Sequence, residues 1–409
     1  MNQLMLHEFH HGLGARFAEL NGAQTVNDYG DWLAEHAALR ETAGVIDFSF
    51  RSRICLVGAD RARFLHGQVT NDVKKLRVGE GCYAAITTAK GKMESDLNIF
   101  TLADELLLDF EPGLMKKISQ RMEKYIVADD VQIVDAAPHY GLLSVQGPQA
   151  ADVVVALGLF RWGKRPREPL AQLASTGSPA VSPHQLPAKL FASVKISDAT
   201  LGEIYLMNHE RLGVCRRQGD ESQTKMKLET PHVVSYNFGF DLFVPNNSLG
   251  AVADKLIAAA KSFGGRAVGW TAFETARIEA GIPRFGADMD ETNIPLECGI
   301  ESRAVTYNKG CYIGQEVINR IHSVGHVNRE LRGLRLADDL KTLPQRGDKL
   351  FHAGKEVGYM TSAVKSPALN ANIALGYVRR EANQIGNELT LRTAAGESPA
   401  KIVELPFVK

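Results

Sequence analysis

With 409 residues, 44% of them hydrophobic and 23% charged, the chain has the make-up of a globular protein of two or three domains. Lysine plus arginine and aspartate plus glutamate both number 47, so net charge excludes a global attraction to nucleic acid or to a membrane surface. Five widely spaced cysteines without a CxxC pair argue against a disulfide framework and a metal or cluster site, and predict a reducing cytoplasm.

The first residues carry no basic stretch followed by an apolar run, so no signal peptide is expected. No segment reaches the roughly 18 apolar residues of a membrane span. His7-Glu8-Phe9-His10-His11 matches HExxH, but a zinc site needs a supported helix and a third ligand, and Gly12 and Gly14 follow at once. No metal is therefore expected. Gly12-Leu13-Gly14 begins like a dinucleotide loop, yet no strand precedes it and the third glycine is missing.

Trp32, Leu33, Ala37 and Leu39 predict a helix ending near Gly44, and the alternation at Ile54 and Leu56 predicts a strand. Asp60 is placed to cap a short helix through Phe64 and Leu65. Residues 82–102 read as a β-hairpin with Ala89-Lys90-Gly91 as its turn. On its second arm the period of two puts Met93, Leu97 and Ile99 on one face and Glu94, Asp96 and Asn98 on the other. The two carboxylates then lie about 7 Å apart, either on a solvated outer face or as an acidic wall that meets N–H donors or holds a proton.

A helix is expected over Leu114 to Tyr125, and strands over Glu203 to Met207 and Phe238 to Val244. The polar stretches 161–190 and 216–231 read as surface loops. Asp241, by itself, reads as a strand-end aspartate paired with a nearby lysine or arginine. Leu249, Val252, Ala253, Leu256, Ile257 and Ala260 fall at helical spacing, with Asn247 or Ser248 as cap and Gly264-Gly265 as stop. Arg277 and Glu279 follow on another helix, two residues apart and so not facing each other. In Lys309-Gly310-Cys311-Tyr312-Ile313-Gly314-Gln315-Glu316 a cysteine is flanked by glycines and a lysine. That environment suits either an accessible thiolate or a buried cysteine in a tight turn. From about residue 330, short strands punctuated by glycines predict a small antiparallel barrel or sandwich.

The octapeptide at 309–316 resembles the signature of the YgfZ family of folate-binding proteins, relatives of the glycine-cleavage T-protein (aminomethyltransferase) linked to iron–sulphur cluster maintenance. Val45-Ile46-Asp47-Phe48-Ser49, Gln68 to Asp72, Lys90-Gly91-Lys92-Met93, Ser144 to Pro148, Thr275 to Gly281 and Glu356 to Ser362 are similar to segments of one or both groups. The resemblance implies an α+β fold: a three-domain T-protein-like ring with a central folate cavity and a C-terminal antiparallel β-barrel. The domains would be 1–50 with 137–248, 51–136 with 249–325, and 326–409. It implies tetrahydrofolate as the bound small molecule, held by Asp96, Asp241 and Arg277 with Lys309 beside Cys311. Cys311 and Asp96 would be catalytic, and iron–sulphur client or assembly proteins would be the partners. In the T-protein hairpin two adjacent aspartates stand where this chain has Ser95-Asp96. The implied function is iron–sulphur cluster maintenance or repair in the cytoplasm; the alternative is aminomethyl transfer to tetrahydrofolate.

Overall fold

The computed structural model describes residues 2–161, 184–209, 211–212 and 239–408. The polar stretch 216–231, most of 161–190, Cys215 and Phe238 lie outside the described residues. Two sheets and a barrel carry the architecture.

The first sheet has six strands in the order Ser193–Asp198, Gly202–Asn208, Gly239–Pro245, Tyr140–Gln146, Gly44–Asp47 and Arg266–Ala267. The helix Leu249–Ser262 lies on it, because all six apolar residues at helical spacing are buried against Leu143, Val145, Leu206 and Leu242. Each such side chain contributes roughly 1.5–3 kcal/mol on burial. This packing differs from the expected boundary at 248/249, which gave the helix to the second unit. Its apolar stripe matches the first sheet's face, and Arg266–Ala267 then pairs in parallel with Gly44–Asp47. Ser248 is the N-cap residue, but its hydroxyl makes no capping bond.

The second sheet is antiparallel, in the order Gly81–Thr87, Met93–Thr101, Glu105–Phe110, Ser52–Val57 and Gln132–Asp135. Its hairpin turns where Gly91 adopts φ +71°, with Thr88 N–H donating to the Lys92 carbonyl at 2.8 Å. The helix Arg61–Gln68 begins after Asp60, whose carboxylate meets Arg63 and the Asp130 N–H rather than the helix end. The helix Met115–Glu123 buries Ile118 and Met122 on the same core.

The C-terminal part is a closed antiparallel barrel of Arg329–Leu336, Ala371–Arg379, Lys355–Ser366, Lys349–His352, Glu388–Thr393 and Gly396–Val403. The strand Lys349–His352 is absent from the sequence-based expectation because its four residues are too few to show a period. The helix Trp270–Glu279 connects the parts, packing on both the helix Trp32–Glu41 and the barrel strand Lys355–Ser366. Among the described residues no helix is long and apolar enough to cross a membrane.

Candidate functional site

The HExxH segment does form a six-residue helix, His7–Gly12, but its first histidine and the His10 between the motif positions are held by other residues, while His11 is exposed. His7 Nδ1 lies 2.8 Å from Gln24 Oε1, and His10 Nε2 lies 2.9 Å from Asp47 Oδ2. Among the described residues no group of three or more acidic, histidine or cysteine side chains could hold a metal.

The polar centre lies where the sheets, the connecting helix and the barrel meet. Asp241 Oδ2 is 2.6 Å from Arg211 Nη2, which is 3.1 Å from Asp109 Oδ2. Asp109 Oδ1 takes Arg51 Nε at 2.8 Å, Arg51 Nη1 reaches Glu111 at 2.7 Å, and Glu111 takes Arg284 Nη1 at 2.9 Å. Arg284 Nε lies 3.4 Å from Glu274, which is paired with Arg277; Arg277 also pairs with Asp288. Asp288 finally accepts the hydroxyls of Thr361 (2.6 Å) and Ser362 (2.7 Å) on the barrel. Charges alternate along the whole seam, as burial of so many ionised groups demands.

Asp96 stands beside this seam with no cation paired to it among the described residues. Its Oδ2 accepts the Tyr83 hydroxyl at 2.7 Å. The two residues sit diagonally across the hairpin, where Ala85 is opposite Asp96 and Tyr83 opposite Asn98. On the other side Asn98 pairs with Asp109, so continuing that register sets Asp96 opposite Glu111. Like charges in directly opposed positions repel. Burial and the Glu111 carboxylate together push the Asp96 pKa up to about 6, against the opposing pull of the Tyr83 hydrogen bond and Arg51. Its neighbours move the other way: despite burial, their cations hold Asp109, Asp241 and Glu274 below the ordinary carboxylate range. Asp96 thus differs from its paired neighbours in having its proton affinity raised.

Ser95, where the T-protein hairpin has its first aspartate, points to the opposite face of the strand and is fully buried. An aspartate there would face the apolar side with Ile86 and Leu97 rather than the seam.

The five residues singled out in the sequence fall into two places. Asp96, Asp241 and Arg277 lie along the seam. Arg277 is 2% exposed, and its guanidinium is taken by Glu274, Asp288, the Ile282 carbonyl and Ser362. Asp241 is taken by Arg211 and by His209 Nδ1 at 2.7 Å. Lys309 and Cys311 lie instead against the end of the helix Arg61–Gln68. Lys309 Nζ donates to the carbonyls of His66, Val69 and Asn71 at 2.6–2.7 Å, and burial lowers its pKa to about 8. Cys311 is exposed.

Sequence reasoning missed Tyr83, Arg51, Glu111, Arg211 and Arg284. Tyr83 escapes a register laid out from the Gly91 turn, because a bulge between Ile86 and Thr87 shifts the pairing by one residue. The arginines carry no local signal, since each meets its carboxylate across the fold.

One prediction arises from the octapeptide. Gly314 has φ +92°, and a Cβ there would lie 2.5 Å from the Thr88 carbonyl oxygen. Gly314→Ala is expected to destabilise the protein by about 1–3 kcal/mol, read from the denaturant midpoint. An unchanged midpoint would contradict this account of the turn.

The GCVT N-terminal domain matches residues 6–160 and 234–309, and the glycine cleavage T-protein C-terminal barrel domain matches residues 329–409. The chain belongs to the glycine cleavage T-protein family. Among its relatives, the aminomethyltransferase of Shouchella clausii is 25% identical over 405 residues, covering 99% of this chain and 97% of that one. The aminomethyltransferase of Lysinibacillus sphaericus is 28% identical over 398 residues, 95% of each chain. The solved aminomethyltransferase T of the Bartonella henselae glycine cleavage system has the same fold, with a TM-score of 0.77 at 22% identity over 100% of this chain and 98% of that one.

These findings correct the functional expectation. The YgfZ-type reading, iron–sulphur cluster maintenance with client or assembly proteins as partners, is overturned because T-protein relatives over the whole length are aminomethyltransferases. The octapeptide is a local feature, and local likeness misled where the match along the full chain decides. The T-protein fold and its closed barrel stand as expected.

Proposed function

We propose that this T-protein family member is an aminomethyltransferase-type protein that moves a one-carbon unit to tetrahydrofolate, with Asp96 as its acid–base group. The observation that carries the reading is the Asp96 carboxyl group, pushed up to about 6 beside a seam of fully paired charges. Two further features suit a folate. Arg277 Nε and Arg284 Nε are buried without a hydrogen-bond acceptor among the described residues, and Tyr83 sets an aromatic face next to Asp96. The YgfZ resemblance is kept for the octapeptide alone.

When bound, tetrahydrofolate supplies the amine nitrogen that receives the one-carbon unit. Asp96 binds a ring N–H while ionised and takes its proton as the nitrogen forms its new bond; protonated, it returns that proton to the departing amine. Tyr83 fixes the rotamer of Asp96 by occupying Oδ2. Glu111 holds the Asp96 proton affinity high, and Arg51 prevents it from rising further. Asp241 and Arg277, whose charges are already paired, act as positioning residues that hold Arg211, Asp109 and Asp288 in place. Lys309 stands outside this site.

The test is equilibrium binding of tetrahydrofolate to the purified protein under anaerobic, reducing conditions. Binding is expected for the wild type and for Cys311→Ala, and is expected to be lost in Asp96→Ala. No binding at millimolar ligand would overturn the proposal. Unchanged affinity in Asp96→Ala would remove Asp96 from the site.

A further inference from the structure

A cavity of about 280 Å³ opens where the end of the helix His7–Gly12, the first turn of the helix Trp32–Glu41 and the junction between the helix Leu249–Ser262 and the edge strand Arg266–Ala267 meet. None of its lining residues belongs to the charged seam. Leu13, Tyr29, Ile257 and Ala267 give it largely apolar walls, and the Tyr29 hydroxyl is held by His10 Nδ1 at 2.9 Å.

The chain reverses tightly at the mouth of this cavity. Gly264 adopts φ +79°, and the Gly265 N–H donates to the Ala260 carbonyl at 2.8 Å. A Cβ on Gly265 would lie 2.2 Å from the Ala43 carbonyl oxygen, so only glycine lets the chain turn this close to the neighbouring strand. The reversal brings Lys261, from the last helical turn, and Arg266, from the strand, to one opening. Both are exposed.

A carboxylate lines the same cavity from within. Glu35 is 1% exposed; its Oε1 accepts the Tyr29 N–H at 2.6 Å and its Oε2 the Gly269 N–H at 2.8 Å. Each oxygen keeps a further lone pair for a donor. Burial raises the Glu35 pKa and Asp28 adds to the rise, against the two backbone bonds and the Arg266 charge. Among the described residues, Glu35, Lys261 and Arg266 make no ion pair with one another or with any other side chain. One buried negative charge and two positive charges at the opening thus face a single apolar cavity unpaired. A buried carboxylate without a counter-ion is costly, and a ligand that supplies both signs of charge relieves that cost.

We propose that this cavity binds a free α-amino acid with an apolar side chain, its ammonium on Glu35 and its carboxylate on Lys261 and Arg266. The side chain packs on Leu13, Ile257 and Ala267. The volume lies just under the roughly 300–1,000 Å³ of pockets for drug-sized ligands, which suits a molecule of this smaller class. The long stems of the lysine and arginine let both charged heads close on one carboxylate. The site is independent of the folate reading.

The probe is L-leucine, titrated calorimetrically into the purified full-length protein beside 4-methylpentanoate, which lacks the ammonium, and 3-methylbutylamine, which lacks the carboxylate. Saturable binding of leucine at one site is expected, with each analogue weaker by about tenfold to a hundredfold, the worth of one hydrogen-bonded charge contact. Glu35→Gln should abolish the preference for leucine over 4-methylpentanoate. Lys261→Ala combined with Arg266→Ala should abolish the preference over 3-methylbutylamine. No binding of leucine, valine or phenylalanine at millimolar concentration would overturn the proposal, as would equal affinity for leucine and both analogues. Unchanged preferences in the variants would overturn it too; should Glu35→Gln fail to fold, the double variant at two exposed positions decides alone.

Discussion

Asp96→Asn is expected to abolish one-carbon transfer while making the protein more stable at neutral pH. The loss follows from the role: removing a positioned acid–base group lowers the rate by about 10²–10⁴-fold. The gain follows from linkage. A carboxyl group whose folded pKa is about 6, raised from 3.8, binds its proton more tightly in the native state than in the unfolded one. The stabilisation from that proton is fully present below about 3.8 and is lost as pH rises through about 6, so at neutral pH the native state carries an ionisation penalty. Two pKa units correspond to about 3 kcal/mol, and partial exposure of the side chain reduces this to about 1–2 kcal/mol. Asparagine keeps the shape, accepts the Tyr83 hydroxyl and ionises at no pH. Thermal unfolding compared near pH 7.5 and near pH 4 checks the point: a higher midpoint at the first and no difference at the second. Equal or lower stability at both would show that Asp96 carries no such penalty, and the acid–base assignment would lose its physical basis.

The largest loss of stability is expected from Glu279→Ala. This carboxylate has a fully buried side chain and accepts from His36 Nε2 at 2.8 Å, from both Arg40 nitrogens that reach it, and from Ser366 Oγ at 2.5 Å. Its backbone carbonyl also accepts from Phe407 and Val408 near the C-terminus. One residue therefore ties the connecting helix to the helix Trp32–Glu41 and to the barrel. Truncation leaves the partly buried Arg40 guanidinium, the buried His36 ring and the buried Ser366 hydroxyl without their acceptor, at a cost of about 3–5 kcal/mol. Despite burial, these partners hold the Glu279 pKa down to about 2. Its folded pKa lies below the unfolded value, so the stabilisation is present above about 4.5 and lost as pH falls through about 2. Urea titrations of the wild type and of Glu279→Gln should converge over that acid range. A loss under about 1 kcal/mol for Glu279→Ala would mean that the barrel is held by its apolar contacts alone.

Much of this was legible along the chain. The period of two predicted Met93, Leu97 and Ile99 on one face and Glu94, Asp96 and Asn98 on the other. The structure keeps Leu97 and Ile99 in one core, but a bulge opposite Ile86 and Thr87 sends Met93 to the other core beside Ala85 and turns Glu94 to Arg121 while Asp96 meets Tyr83. The two-residue spacing of Arg277 and Glu279 argued against a mutual ion pair, and the pair indeed part, one to Asp288 and one to His36 and Arg40. Local periodicity is visible because adjacent residues define it. The solvated-face alternative for Asp96 was equally legible, and nothing local could decide between them. Its two neighbours that bear on the choice, Tyr83 and Glu111, come from the strands on either side.

The amino-acid order by itself determined the elements, the family segments, the single cysteine octapeptide and the face on which Asp96 stands, since each depends on residues within one or two turns. Only the tertiary structure decided which charges meet. Asp241 finds Arg211, Arg51 bridges Asp109 and Glu111, Arg284 reaches back to Glu111, and Glu279 joins residues more than two hundred positions away. Coulombic partners act through space and are set by how sheets and barrel dock, so the charges that surround an aspartate such as Asp96 cannot be read along the chain.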